Sequence, residues 1–229
     1  MRHLFLPVAL LLVIATLNVR CVEAGDLSLA EMRQIALTSF QAFPWRMKTV
    51  RRTLSTGDVY SATIEAQSPD RIHGIVEMPF GSGPLVTESV LLRPVFFLRA
   101  VSGPPEVLKQ LGLTGGVWRK LEEGQPGMSL ADEVGRAADS SRLMSSFGFM
   151  IEESKIPGGY KQVGEQQLNG IPLSVYEVRL SGDRTDRTIR IWIRNDNHRI
   201  SNLRIENDTS TSEATIVYDP SIKVDAPAP

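Results

Sequence analysis

The residues able to do chemistry in this chain are few and badly placed for it. His73 and His198 lie far apart in sequence, with no Cys or second His at ligand spacing, so neither starts a metal site. Ser82 sits in "PFGSGP", which lacks the G-x-S-x-G spacing of an exposed nucleophile. Glu122-Glu123, Asp132-Glu133 and Glu152-Glu153 are adjacent pairs, and adjacent side chains on a helix or strand do not face a common point as an acid and base must. Gly81, Gly83, Gly115 and Gly116 form no phosphate-binding pattern. The expectation is a protein with no catalytic residues, no cofactor and no metal.

Two other groups of residues remain. "WRMKTVRR" places Arg46, Lys48, Arg51 and Arg52 close together, either as a solvated strand face or as a cationic rim for lipid phosphates or an acidic partner. The second group is apolar. "RTIRIWIR" puts Ile189, Ile191 and Ile193 on one side of a strand and Arg190, Trp192 and Arg194 on the other. Tyr60, Ala62, Ile64 and Ala66 alternate in the same way, as do Ile72, Gly74, Val76 and Met78. Phe96, Phe97 and Leu98 read equally as a buried strand or as a lid beside "PFGSGP".

The elements that carry these residues follow from periodicity. Ser28-Leu29-Ala30-Glu31 has capping-box spacing, and Leu29, Met32, Ile35, Ala36 and Phe40 give one apolar helical face, which Pro44 ends. Three period-two runs over 45–78 are separated by "STGD" and "QSPD", both turn-formers. "PFGSGP" reads as a loop, 85–101 as strands interrupted near Pro94, and "EVLKQLGL" as a short helix. Trp118 restarts a strand, Ser129 caps a second long helix over 130–147, and strands follow near 149–154, 160–167, 171–180, 187–194, 198–206 and 213–219. Asn207-Asp208-Thr209 matches a glycosylation sequon but reads as a turn. One mainly β domain over 25–229, built on a single antiparallel sheet, is the economical architecture. Only two long helices are available to cover the apolar side, so the sheet is expected to curve around it and leave an apolar cavity.

The start of the chain, "MRHLFLPVALLLVIATLNVRCVEAGD", has a basic beginning, an apolar run too short for a comfortable span, and a V-x-A site. It reads as a signal peptide over 1–24, cleaved after Ala24. Cys21 follows Arg20, unlike a lipidation site, and 25–229 contains no cysteine, so stability has to come from a core. The 25 basic and 26 acidic residues give a net charge of −1, which argues against nucleic acid as a partner. A periplasmic location is expected.

Taken in order, the N-terminal helix, "PWRMKTVRRTLSTGDVYSATIEAQSPDRIHGIVEMP", "GGVWRK", "YKQVGEQQLNGIPLSVYEVRL", "IRIWIRNDNHRISNLRIE" and "ATIVYDPSIKVDAP" resemble the LolA-like superfamily of periplasmic lipoprotein carriers. The resemblance spans 27–227, and an insertion-like "SGPPEVLKQLGLTG" (102–115) departs from the dedicated carrier. It implies a strongly curved half-barrel of about ten to eleven strands, with helices over its concave face. The expected function is a periplasmic carrier or sensor sheltering the acyl chain of a lipid or lipoprotein, with an inner- or outer-membrane envelope protein as a further partner. The expected ligand contacts are Tyr60, Ile64, Ile72, Val76, Phe96, Leu98, Tyr176, Ile189 and Ile191, with Arg46, Lys48, Arg51 and Arg52 as the rim. The alternative is a non-enzymatic envelope interaction or signalling protein with a filled core, working through its outward Arg/Trp face.

Overall fold

The computed structural model describes residues 25–113, 115–121, 156, 158–181 and 186–228. The helix expected over 130–147 and the strand near 149–154 lie outside them. Helix α1 (Leu29–Gln41) begins with the capping box: Glu31 N–H donates to Ser28 Oγ at 3.2 Å, and Ser28 N–H donates to Glu31 Oε2 at 2.8 Å. Its inward residues are Leu29, Met32, Ala36, Ser39 and Phe40. The helix stops before the Phe43-Pro44 pair, as Pro requires.

Strands β1 (Trp45–Thr53), β2 (Val59–Ser68), β3 (Arg71–Phe80), β4 (Gly83–Leu92) and β5 (Val95–Ser102) form a meander. Helix α2 (Pro105–Gln110) follows, then β6 (Arg119–Leu121), β7 (Lys161–Leu168), β8 (Ile171–Leu180), β9 (Arg187–Arg194), β10 (Ile200–Asn207) and β11 (Ser210–Tyr218). They make one open 11-stranded sheet in the order β6-β5-β4-β3-β2-β1-β11-β10-β9-β8-β7, with antiparallel pairing throughout. β1 pairs with β11, so the N-terminal meander and the C-terminal strands meet in the middle of the sheet. The expected mainly β antiparallel architecture is present, with few helices among the described residues.

One local expectation is corrected. "PFGSGP" is a tight hairpin and not a loop, because Pro79 pairs with Pro84 and Phe80 with Gly83, leaving only Gly81 and Ser82 to turn. Prolines at the strand ends fit where a missing N–H breaks no ladder bond, and Ser82 Oγ donates to Glu106 of α2. The Asn207 sequon is indeed a turn: its Oδ1 accepts from the N–H groups of Thr209 at 2.9 Å and Ser210 at 2.7 Å, closing the β10–β11 hairpin.

Helix and sheet are joined by polar contacts at the end of α1. Trp45 Nε1–H donates to the Phe40 carbonyl at 3.1 Å. Ser39 Oγ donates to Ile35 O at 2.7 Å and accepts from Ile200 N–H at 2.9 Å, where the β9–β10 register slips. At the other end of α1, Leu27 and Tyr160 exchange backbone hydrogen bonds of 2.9 and 2.7 Å.

Candidate functional site

Side chains alternate along a strand, so register decides which residues share a face. Starting at Trp45, the sheet's apolar face consists of successive rows. The first runs Trp45, Ala66, Ile72, Leu91, Phe96 and Leu121 across β1 to β6, and every member is buried. The second contains Met47, Ile64, Ser89, Leu98 and, toward β11, Ile216, all buried as well.

In the third row, Thr49, Ala62 and Val76 are only half-buried, whereas Ala214, Leu203, Ile191 and Tyr176 on the β11–β8 side are buried. The fourth row opens further. Arg51 and Tyr60 are exposed, Ser212 and Ile205 are half-buried, and Ile189 and Val178 are buried. Burial therefore falls along β1 and β2 from Trp45 to Arg51. On β4 and β5 the same rows keep Leu85, Thr87 and Ala100 buried, so the apolar face opens locally at β1 to β3, between buried flanks.

The nine expected contact residues divide by depth. Ile64, Ile72, Phe96, Leu98, Tyr176, Ile189 and Ile191 join one hydrophobic cluster with Met32, Ala36 and Phe40 of α1. Val76 borders the opening, half-buried. Tyr60, expected inside, is 40% exposed: its strand carries it to the open row, although it remains on the apolar face. Phe96 and Leu98 are ordinary buried residues of β5, which decides against a lid.

The four cations expected as a rim divide between the two faces of β1. Arg51 shares its face with Trp45, Met47 and Thr49, whereas Arg46, Lys48 and Arg52 point to the opposite, polar face. Among the described residues no hydrogen bond or ion pair engages the Arg51 side chain. Arg46 is occupied, its guanidinium 2.5 Å from Glu65. Counting parity from Trp45 separates these four cations in sequence alone.

The polar face is an ion-pair ladder. Arg46 meets Glu65, Glu65 and Glu88 flank His73 at 3.2 and 2.9 Å, and Glu88 meets Arg99 at 2.5 Å. Arg99 in turn lies 4.6 Å from the centre of the Trp118 ring. Burial raises the Glu65 carboxyl, but hydrogen bonds from Arg46 and His73 outweigh it and hold it below the ordinary carboxylate range. Glu88 behaves alike: burial raises it, and His73 and Arg99 bring it lower. Both groups bind protons less readily folded than unfolded. The stability they supply is present above the unfolded carboxylate pKa and lost as pH falls through their lowered folded values. The urea midpoint is expected to fall below about pH 4, and Glu65→Gln with Glu88→Gln to flatten that acid limb. An acid limb of unchanged slope in the double variant would count against this ladder.

The outward residues of β9 have partners of their own. Arg190 pairs with Glu177 at 2.6 Å, Arg194 with Asp196 at 2.6 Å, and Trp192 Nε1–H donates to Gln166 Oε1 at 2.9 Å. Trp192 also lines a pocket of about 280 Å³ with Gln166, Leu168, Asn202 and Arg204, and Arg204 is itself paired with Glu206 and Glu213. The Arg/Trp face is thus largely self-neutralised.

Inside, two tyrosines contrast. Burial pushes the Tyr218 hydroxyl up to about 12, and it donates to Ile200 O at 3.0 Å. Tyr160 is 0% exposed, and burial raises its hydroxyl too, but that oxygen has no hydrogen-bond partner among the described residues. Sequence reading gave no sign of it. Leaving a buried donor unmade costs about 1–3 kcal/mol, so Tyr160→Phe is expected to leave the urea midpoint unchanged or raise it. A loss of unfolding free energy above about 1 kcal/mol would show that the hydroxyl has a partner.

No protein-family model matches this sequence, and no curated protein matches it. Solved structures do. LprF from Mycobacterium bovis aligns with a TM-score of 0.55 at 14% identity, covering 90% of this chain and 100% of that one. The likeness to it is one of fold. The lipoprotein LppX from Mycobacterium tuberculosis aligns at a TM-score of 0.47 and 15% identity, covering 86% of this chain and 97% of its own. A LolA superfamily protein from Nitrosomonas europaea aligns at 0.27 and 8% identity, covering 83% and 92%. At these identities the likeness concerns the fold alone.

Proposed function

We propose that this protein is an exported, non-enzymatic carrier or sensor that shelters the acyl chain of a lipid or lipoprotein against the apolar face of its LolA-like sheet. The observation that carries this reading is the local opening of that face at β1 to β3. Tyr60, Ala62 and Val76 are left partly uncovered beside rows that are fully buried. In this reading the sheet curls as a half-barrel, helices close over the apolar side, and the segment through Ala24 is removed on export to the periplasm. The affinity comes from burial, about 0.8 kcal/mol for each CH₂ taken from water. Delivery then requires passing the chain to another apolar surface on an envelope partner. The alternative, recognition through the Arg/Trp face, draws less support because Arg190 and Arg194 are already paired with Glu177 and Asp196.

The test is native mass spectrometry of the protein purified from the envelope of its own cells, followed by organic extraction of whatever it carries. A stoichiometric added mass that extracts as lipid supports the proposal. A bare mass that persists after incubation with phospholipid and acylated peptide overturns it.

A further inference from the structure

The position of Arg51 deepens the carrier reading and rests on it. Arg51 stands directly opposite Tyr60 on β2 and Ser212 on β11, in the fourth row of the apolar face. It is exposed, and no carboxylate among the described residues pairs with it. The other three cations of "WRMKTVRR" point away from this face. A guanidinium with no partner among the described residues, at the open stretch of a largely apolar surface, has little structural use, since sheet stability here comes from the buried rows. It does have the chemistry to meet an anion emerging from that surface, and Tyr60 and Ser212 add hydroxyls beside it.

We infer that Arg51, with Tyr60 and Ser212, is the headgroup anchor of the site, and that the ligand is an anionic amphiphile whose carboxylate or phosphate sits at Arg51. The tail runs from this row toward Val76, Ala62 and Thr49. Binding is non-covalent, and the guanidinium donates to the ligand's oxygens. A neutral amphiphile of the same length keeps the tail contacts and loses the charge-assisted hydrogen bonds.

The experiment incubates the protein with an equimolar mixture of hexadecanoate, hexadecyl phosphate and hexadecanol and reads the bound species by native mass spectrometry. Wild type is expected to favour the anions over the alcohol about tenfold, the discrimination that one charge-assisted hydrogen bond supplies. Arg51→Gln is expected to bring that ratio close to unity while loading of hexadecanol stays as in wild type. Lys48→Gln and Arg52→Gln, on the opposite face, are expected to keep the preference. The ratio of the two anions identifies a carboxylate or a phosphate as the natural head. Equal loading of all three by wild type, or a preference that survives Arg51→Gln, overturns the anchor and leaves the carrier intact. Failure to load any of them overturns both.

Discussion

Trp45→Ala is expected to lower the unfolding free energy by about 3–5 kcal/mol, the usual cost of removing a buried aromatic side chain. Trp45 is 1% exposed, begins β1, stacks on Phe43 at 5.8 Å between ring centres, and lies in the first row of the apolar face. Its indole N–H also donates to the Phe40 carbonyl at the end of α1, so the substitution removes a contact between helix and sheet along with the volume. A domain of this size has about 5–15 kcal/mol in all. Urea unfolding should therefore show a large drop in midpoint, and Trp45→Phe, which keeps most of the volume, should recover most of it. If alanine costs less than about 1 kcal/mol, the first row is not the packed end of this sheet.

Gly159→Ala is expected to be nearly as damaging, for a backbone reason. Gly159 has φ +63°, and a Cβ built there would stand 2.4 Å from the Leu27 carbonyl oxygen. That oxygen accepts from Tyr160 N–H in the bridge that fixes the start of α1, so it cannot move aside without breaking the bridge. The left-handed conformation alone costs a residue with a side chain about 1–3 kcal/mol, and the collision adds to it. The neighbouring Gly158 supplies the control, because its added Cβ would meet only the flexible end of Lys161 at 3.5 Å. Gly158→Ala should be close to neutral in the same urea titration. Equal midpoints for the two variants would contradict the close approach at Leu27.

These two positions also differ in how legible they were. Trp45 opens a period-two run directly after a proline-terminated helix, and its partners Ala66 and Ile72 belong to alternating strands that the sequence displays plainly. Gly159 reads only as one glycine of a "PGG" turn. Its sensitivity comes from a residue 132 positions away in sequence, and nothing local announces that approach. Phe80 and Gly83 make the same point on a smaller scale. Turn-forming residues obscured a hairpin whose prolines lie at positions where the ladder does not need their missing N–H.

The sequence by itself determined most of the described elements: α1 through its capping box and apolar spacing, the strands through alternation, and hairpins such as the one at Asn207 through their turn residues. Alternation also fixed which side of its own strand each residue occupies, Arg51 with Met47 included. Only the tertiary structure decided depth. It placed Tyr60 and Ile72 on one face but in different rows of it, one exposed and one buried, and among the described residues it left Arg51 unpaired while Arg46 found Glu65. The physical reason is that a strand's periodicity is local, whereas burial depends on which strands and helices lie above a given row. A filled core and the mouth of a lipid site use the same aliphatic residues, and only the neighbours in space distinguish them.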